Sequence, residues 1–256
     1  MWQKAGSRMV MLIALAFGLA LLPACEHKPE PHQNPAAPAA PSQTQGKSTP
    51  PVEEAYRAAA ENRVAENRAA AEAAAPVILA LGDSITAGLG LMEEQSYPSR
   101  LQMRLKAAGY PHRVVNGGVS GDTSAGGLAR LDWLMRQHPN IIILALGAND
   151  GLRGIKPQAM RANLAAIIER AQAEGSRVLL AGMRMPTNYG AEYTREFEAV
   201  YRGLADHYKL PLLPFLLEGV ALRSDLNQPD GIHPNAKGAA IVTDNVWRAL
   251  EPLLAK

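Results

Sequence analysis

At 256 residues and 47% hydrophobic content, the chain is long enough for one well-buried α/β domain with sequence to spare. Lys and Arg (26) nearly cancel Asp and Glu (24), and there are only three Phe and three Trp; this excludes nucleic-acid recruitment by field alone and a stacking platform for single strands. The one cysteine, Cys25, excludes an intramolecular disulfide, so the fold must rest on its core.

Residues 1–24 read as an export signal. Lys4 and Arg8 give a positive start, residues 9–22 form an apolar run too short for a membrane span, and Leu22-Pro23-Ala24 stands before Cys25. This stretch resembles a bacterial lipobox, in which the cysteine thiol is lipidated and becomes the new N-terminus. The resemblance implies an acylated Cys25 on the periplasmic side of a bacterial membrane. Glu26 after the cysteine implies the outer membrane. Each buried CH₂ of such an anchor contributes about 0.8 kcal/mol. Ordinary cleavage after Ala24 with a free thiol, or a retained signal anchor, are the other readings.

After Cys25, residues up to 51 are rich in Pro, Gln, Ala, Ser and Thr and lack the apolar content for a core. They read as a disordered or polyproline-like tether, and His27 and His32 within it as solvated linker residues. At about 3.1 Å per residue the tether reaches on the order of 80 Å. Residues 52–75 change character: Ala, Glu and Arg without Gly, bracketed by Pro51 and Pro76, with Glu53/Arg57, Arg57/Glu61 and Arg68/Glu72 four apart. That predicts a strong helix with a thin apolar face (Val52, Tyr56, Val64). It serves as a helical spacer or as a small coiled-coil or cell-wall-contacting element; the residues do not discriminate.

From 76 to 256 strands and helices alternate. Apolar runs predict strands over 77–81, 112–116, 141–146, 177–181 and 212–215. Helices are predicted over 97–108, 123–137, 157–174, 192–208 and 234–253, the first stopped by Gly109 and the third opened by Pro157 and closed by Gly175. The alternation means an α/β fold with a parallel sheet covered on both faces. His112, His138 and His207 fall at element ends and are expected on the surface.

Four stretches fall after strands or in the last loop, hence on one rim of that sheet: Gly82-Asp83-Ser84-Ile85, Ser120-Gly121-Asp122, Gly147-Ala148-Asn149-Asp150 and Asp230-Gly231-Ile232-His233. In open α/β sheets that rim binds ligands. Ser84 is a candidate nucleophile and His233 a candidate base; Asp230, three residues earlier, can orient its ring. The backbone N–H groups of Ser84 and Gly121 and the side-chain amide of Asn149 are candidate oxyanion donors. Each has a plainer reading: Ser84 as a helix N-cap, Gly121 as a left-handed residue, Asn149 and Asp230-Gly231 as turn residues. Asp83, Asp122 and Asp150 are expected to brace loops. The order Ser, Asp, His also occurs in α/β-hydrolases, but the Gly-x-Ser-x-Gly elbow is absent.

Together the four stretches resemble the four blocks of the SGNH (GDSL) hydrolase superfamily, from about residue 77 to 254. The stretches Ala148-Asn149-Asp150-Gly151-Leu152-Arg153-Gly154 and Pro186-Thr187-Asn188-Tyr189-Gly190 resemble its arylesterase, acyl-CoA thioesterase and lysophospholipase branch. Ala148 departs from the Gly often found before the Asn. The resemblance implies a flavodoxin-like three-layer α/β/α sandwich on a five-stranded parallel sheet. It also implies Ser84, Asp230 and His233 as a triad, with Ser84, Gly121 and Asn149 forming the oxyanion hole.

The chain thus reads as a membrane-tethered serine esterase, working through an acyl-Ser84 intermediate without metal or cofactor. Its substrate is a small-molecule ester, thioester or lysophospholipid. Leu152, Ile155, Met185 and Tyr189 either line an acyl cleft or serve as packing. A cell-wall carbohydrate O-deacetylase, or a structural lipoprotein with a relic site, are the alternatives.

Overall fold

A computed structural model describes residues 52–254; the expected signal, Cys25 and the tether lie outside the described residues. Helix α1, Val52–Ala74, forms where the Ala-rich segment predicts it, and Arg57 and Glu61 pair at 3.3 Å across one turn. Tyr56 and Val64 are exposed on it.

β1 (Val77–Gly82) leads into the one-turn helix α2 (Ser84–Ala87) and then α3 (Tyr97–Ala107). β2 (Arg113–Gly118) is followed by α4 (Ser124–Ala129) and α5 (Leu131–Met135). β3 (Pro139–Ala145) precedes the short α6 (Ala148–Leu152) and the long α7 (Pro157–Ala173). β4 (Arg177–Ala181), α8 (Ala191–Tyr208), β5 (Leu212–Leu213) and α9 (Ala236–Leu250) follow, with a last single turn at Glu251–Leu253.

The five strands pair in parallel in the order β2-β1-β3-β4-β5. This is the flavodoxin-like order, whose switch point lies between β1 and β3. Right-handed crossovers then assign the helices to faces. α3 and α9 pack together on one face; α4, α7 and α8 form the other. The apolar runs 78–81, 141–144 and 179–181 are wholly buried between the two layers.

Two expected elements are cut short. The helix predicted over 123–137 breaks into α4 and α5 at Arg130, which caps one and opens the other. Gly126 and Gly127 weaken the helix just before the break. The fifth strand pairs only at Leu212 and Leu213, because Pro214 has no N–H to extend the ladder. One expectation is overturned. His112 is 4% exposed, not a surface residue: it tucks beneath Tyr110 with ring centroids 6.2 Å apart, and its Nδ1 has no partner among the described residues. His138 and His207 are exposed, as expected.

Candidate active site

The site forms along the carboxyl ends of β1, β2 and β3. β1 ends at Gly82, where a Cβ would stand 2.0 Å from Thr86 Oγ1, so that only glycine fits beneath α2. Asp83 caps α2 by accepting from the Ile85 N–H at 3.0 Å, which leaves Ser84 as the first residue of that turn. Ser84 is therefore not the cap. Its Oγ lies 2.8 Å from His233 Nε2.

His233 is carried by the loop before α9. Asn227 and Pro234 bridge across that loop, Gln228 N–H donates to the His233 carbonyl at 2.7 Å, and Asn235 caps α9. Asp230 Oδ2 lies 2.7 Å from His233 Nδ1. Its Oδ1 accepts from the backbone N–H of Ile232 and of His233, each at 3.0 Å. These bonds, the His233 backbone donor foremost, hold the Asp230 carboxyl down at about 2. An ionised carboxylate only accepts, so Nδ1 carries the ring proton and Nε2 is free to accept from the Ser84 hydroxyl. The relay points in the direction that activates Ser84.

Ser84, Gly121 and Asn149 face one cleft with His233. Among the described residues the N–H groups of Ser84 and Gly121 have no acceptor. Gly121 has φ +83, a left-handed conformation that favours glycine. Asn149 Nδ2 donates to the Asp122 carbonyl at 2.9 Å and stands 3.4 Å from Asp83 Oδ2. The three acidic neighbours brace the loops, as expected. Asp122 pairs with Arg130 at 2.6 Å, and Asp150 accepts from the Ser124 N–H at 2.7 Å and hydroxyl at 2.5 Å. Asp83 is 3% exposed, and burial raises its carboxyl to about 6.

The cleft holds about 290 Å³ and is mainly apolar. Of the four residues that could line a cleft or serve as packing, Leu152 and Met185 line it. Ile155 and Tyr189 do not. The single turn Thr187–Tyr189 folds Tyr189 back onto α8, where it stacks on Tyr193 and its hydroxyl donates to the Leu152 carbonyl at 3.3 Å. The Ile155 carbonyl accepts from the Tyr193 hydroxyl at 2.9 Å. Both residues therefore hold the loop behind the wall. Met183, Phe215, Leu217 and Ile232 also line the wall and were not anticipated. The first three follow β4 and β5 directly, so their position at the carboxyl ends was the available signal. Among the described residues no cluster of three or more His, Cys, Asp or Glu side chains is placed to hold a metal ion.

Residues 80–241 match the model of the GDSL-like Lipase/Acylhydrolase family. The chain is 47% identical over 184 residues to Esterase TesA of Pseudomonas aeruginosa, covering 72% of this chain and 92% of the relative. It is 40% identical over 183 residues to Thioesterase 1/protease 1/lysophospholipase L1 of Escherichia coli K12, covering 71% of this chain and 86% of that one. A crystal structure of TesA superposes with a TM-score of 0.68 over 70% of this chain and 99% of that one.

Proposed function

The chain belongs to the GDSL-like Lipase/Acylhydrolase family and is a serine hydrolase of ester bonds, and from that premise we propose that it cleaves acyl esters and thioesters through an acyl-Ser84 intermediate. The observation that carries the reading is the 2.8 Å contact between Ser84 Oγ and His233 Nε2, open to an apolar cleft. Ser84 Oγ attacks the acyl carbonyl while His233 takes its proton and Asp230 stabilises the imidazolium. The N–H groups of Ser84 and Gly121 and the Asn149 amide receive the tetrahedral oxygen. His233 then protonates the leaving alcohol or thiol, and the same base activates the water that releases the acid.

The apolar wall favours an aliphatic acyl group over an acetylated glycan, whose hydroxyls it would leave unpaired. Relatives named esterase, thioesterase and lysophospholipase support substrates of that class. We place the enzyme on the periplasmic side of the outer membrane, held by an acylated Cys25; the support is the lipobox-like stretch and the tether composition after it.

A panel tests the reading: p-nitrophenyl esters of rising chain length, acyl-CoA, lysophospholipid and acetylated glycan, with wild type and Ser84→Ala. Preference for longer acyl chains, lost in Ser84→Ala, is expected. Preference for acetylated glycan overturns the substrate class. Intact mass of the mature protein, with membrane fractionation of Cys25→Ser, tests the anchor; a mature chain without acyl mass overturns it.

A further inference from the structure

The three donors assigned to the oxyanion come from three separate loops: Ser84 after β1, Gly121 after β2 and Asn149 after β3. They work only if they converge on one oxygen, at about 2.7–3.1 Å each. A misplacement of about 1 Å costs on the order of 100-fold. Polar side-chain contacts link the three loops. Arg130 Nη2 donates to the Gly82 carbonyl at 3.0 Å, and Arg130 Nε donates to Asp122 Oδ2 at 2.6 Å. Asn149 Nδ2 donates to the Asp122 carbonyl at 2.9 Å and approaches Asp83 at 3.4 Å. Gly82 and Asp83 precede Ser84, and Asp122 follows Gly121. The contacts therefore close a circuit: first loop to second through Arg130, second to third through Asn149, third back to first through Asp83.

We infer that Arg130 is a positioning residue for the oxyanion hole, stapling the Ser84 loop to the Gly121 loop and so setting the spacing of their N–H donors. Its side chain and that of Asp122 are only 21% and 16% exposed, which shields the pair from water. The planar guanidinium fork reaches a carboxylate and a carbonyl at a fixed angle; an ammonium keeps the charge without that angle. Arg130 does not line the cleft and touches no reacting atom. Its place at the break between α4 and α5 puts it beside both loops.

The inference rests on the oxyanion assignment proposed above, and the test separates the two. Full-length Arg130→Met, Arg130→Lys, Asn149→Ala and the double variants are assayed on p-nitrophenyl butyrate, with Ser84→Ala as control and folded fraction read by circular dichroism. Arg130→Met is expected to lower kcat about 30- to 100-fold per folded molecule with KM within about threefold. Arg130→Lys should fall between it and wild type. The decisive reading is coupling. If Arg130 acts by placing the donors, Asn149→Ala costs several-fold less in the Arg130→Met background than alone. Losses that multiply, or a kcat per folded molecule within threefold of wild type, overturn the inference. Should Arg130→Met not fold, Arg130→Lys carries the same cycle under the same criteria. A Ser84→Ala protein as active as wild type overturns the esterase assignment instead.

Discussion

Asp230 grips His233 at two points, taking the backbone N–H with Oδ1 at 3.0 Å and the ring Nδ1 with Oδ2 at 2.7 Å. One side chain thus fixes both where the imidazole starts and which way it faces. Asn in its place can still accept from the backbone, but its amide also permits Nδ1 to accept instead of donate. That tautomer points an N–H at Ser84 and removes the base. Asp230→Asn should therefore lower kcat by about 10²–10⁴, with circular dichroism unchanged at neutral pH. Steady-state kinetics decide it; a loss under tenfold means the carboxylate does not set the tautomer.

The same carboxylate gives a pH signature. Its folded value of about 2 lies below the ordinary 3.8. Its contribution to stability is therefore present above 3.8 and lost as pH falls from there towards 2. Melting temperatures of wild type and Asp230→Asn should converge over that window. A gap that stays constant down to pH 2 shows that the carboxylate does not stabilise the loop.

What was legible depended on how local the determinant is. The run Ile141-Ile142-Ile143-Leu144 reads as a buried strand, because it is short, rich in β-branched residues and without a polar face. Ser84, Gly121, Asn149, Asp230 and His233 were legible because each sits in a short block tied to a strand end or a single loop. Partners set by tertiary folding were not. Tyr189 and Ile155 have the right chemistry for a cleft wall, yet the turn at Thr187–Tyr189 aims one of them at α8. Arg130 sits in a pattern that reads as continuous helix, and its acceptors at Gly82 and Asp122 are 48 and 8 residues away. His112 looks like a polar strand start, yet it lies buried edge-on to Tyr110, which in turn packs edge-on to Trp247 from the far end of the chain.

His112 gives a prediction about acid stability. Burial, with the charge of Arg177, lowers its pKa. The unfolded chain therefore takes a proton at that site before the folded one does, and stability falls as pH drops below about 6.5. Asp83 acts with the opposite sign: its carboxyl, raised to about 6, makes the fold bind more protons between 3.8 and 6. A difference measurement isolates the histidine. Between pH 7.5 and 5.5, His112→Phe should lose less melting temperature than wild type. Equal losses exclude His112 as the source.

Asn149 is already engaged in the free enzyme, donating to the Asp122 carbonyl at 2.9 Å. Losing one oxyanion donor costs about 10²–10³ in kcat, with little change in KM, and that is expected for Asn149→Ala. Asn149→Asp should be worse, since its carboxylate would face the Asp122 carbonyl and Asp83 Oδ2, where the amide now donates. If Asn149 only held a turn, Asp would be the milder change. Kinetics and melting curves rank the two variants; Asp close to wild type removes Asn149 from the oxyanion hole.

The cleft wall can be moved from behind. Gly151 lies buried in α6, and a Cβ there would stand 2.3 Å from Met185 Sδ and 2.9 Å from Phe197 Cε2. Phe197 cannot yield: it is wholly buried, packed against Tyr193 and edge-on to Tyr201. Met185 can, because its unbranched side chain is flexible and borders the cleft. Gly151→Ala should therefore push Met185 into the cleft. Overpacking of this kind costs about 1–3 kcal/mol in stability, offset in part by about 0.8–1 kcal/mol of helix propensity. The catalytic consequence is larger for long chains than for short. One methylene in an apolar pocket is worth about 10- to 200-fold in specificity, so the kcat/KM ratio of p-nitrophenyl decanoate to acetate should drop by about tenfold or more. A lowered melting temperature with that ratio unchanged would mean that acyl chains do not run along the Met185 wall. A ratio that falls while acetate turnover holds within a few-fold places the chain against it.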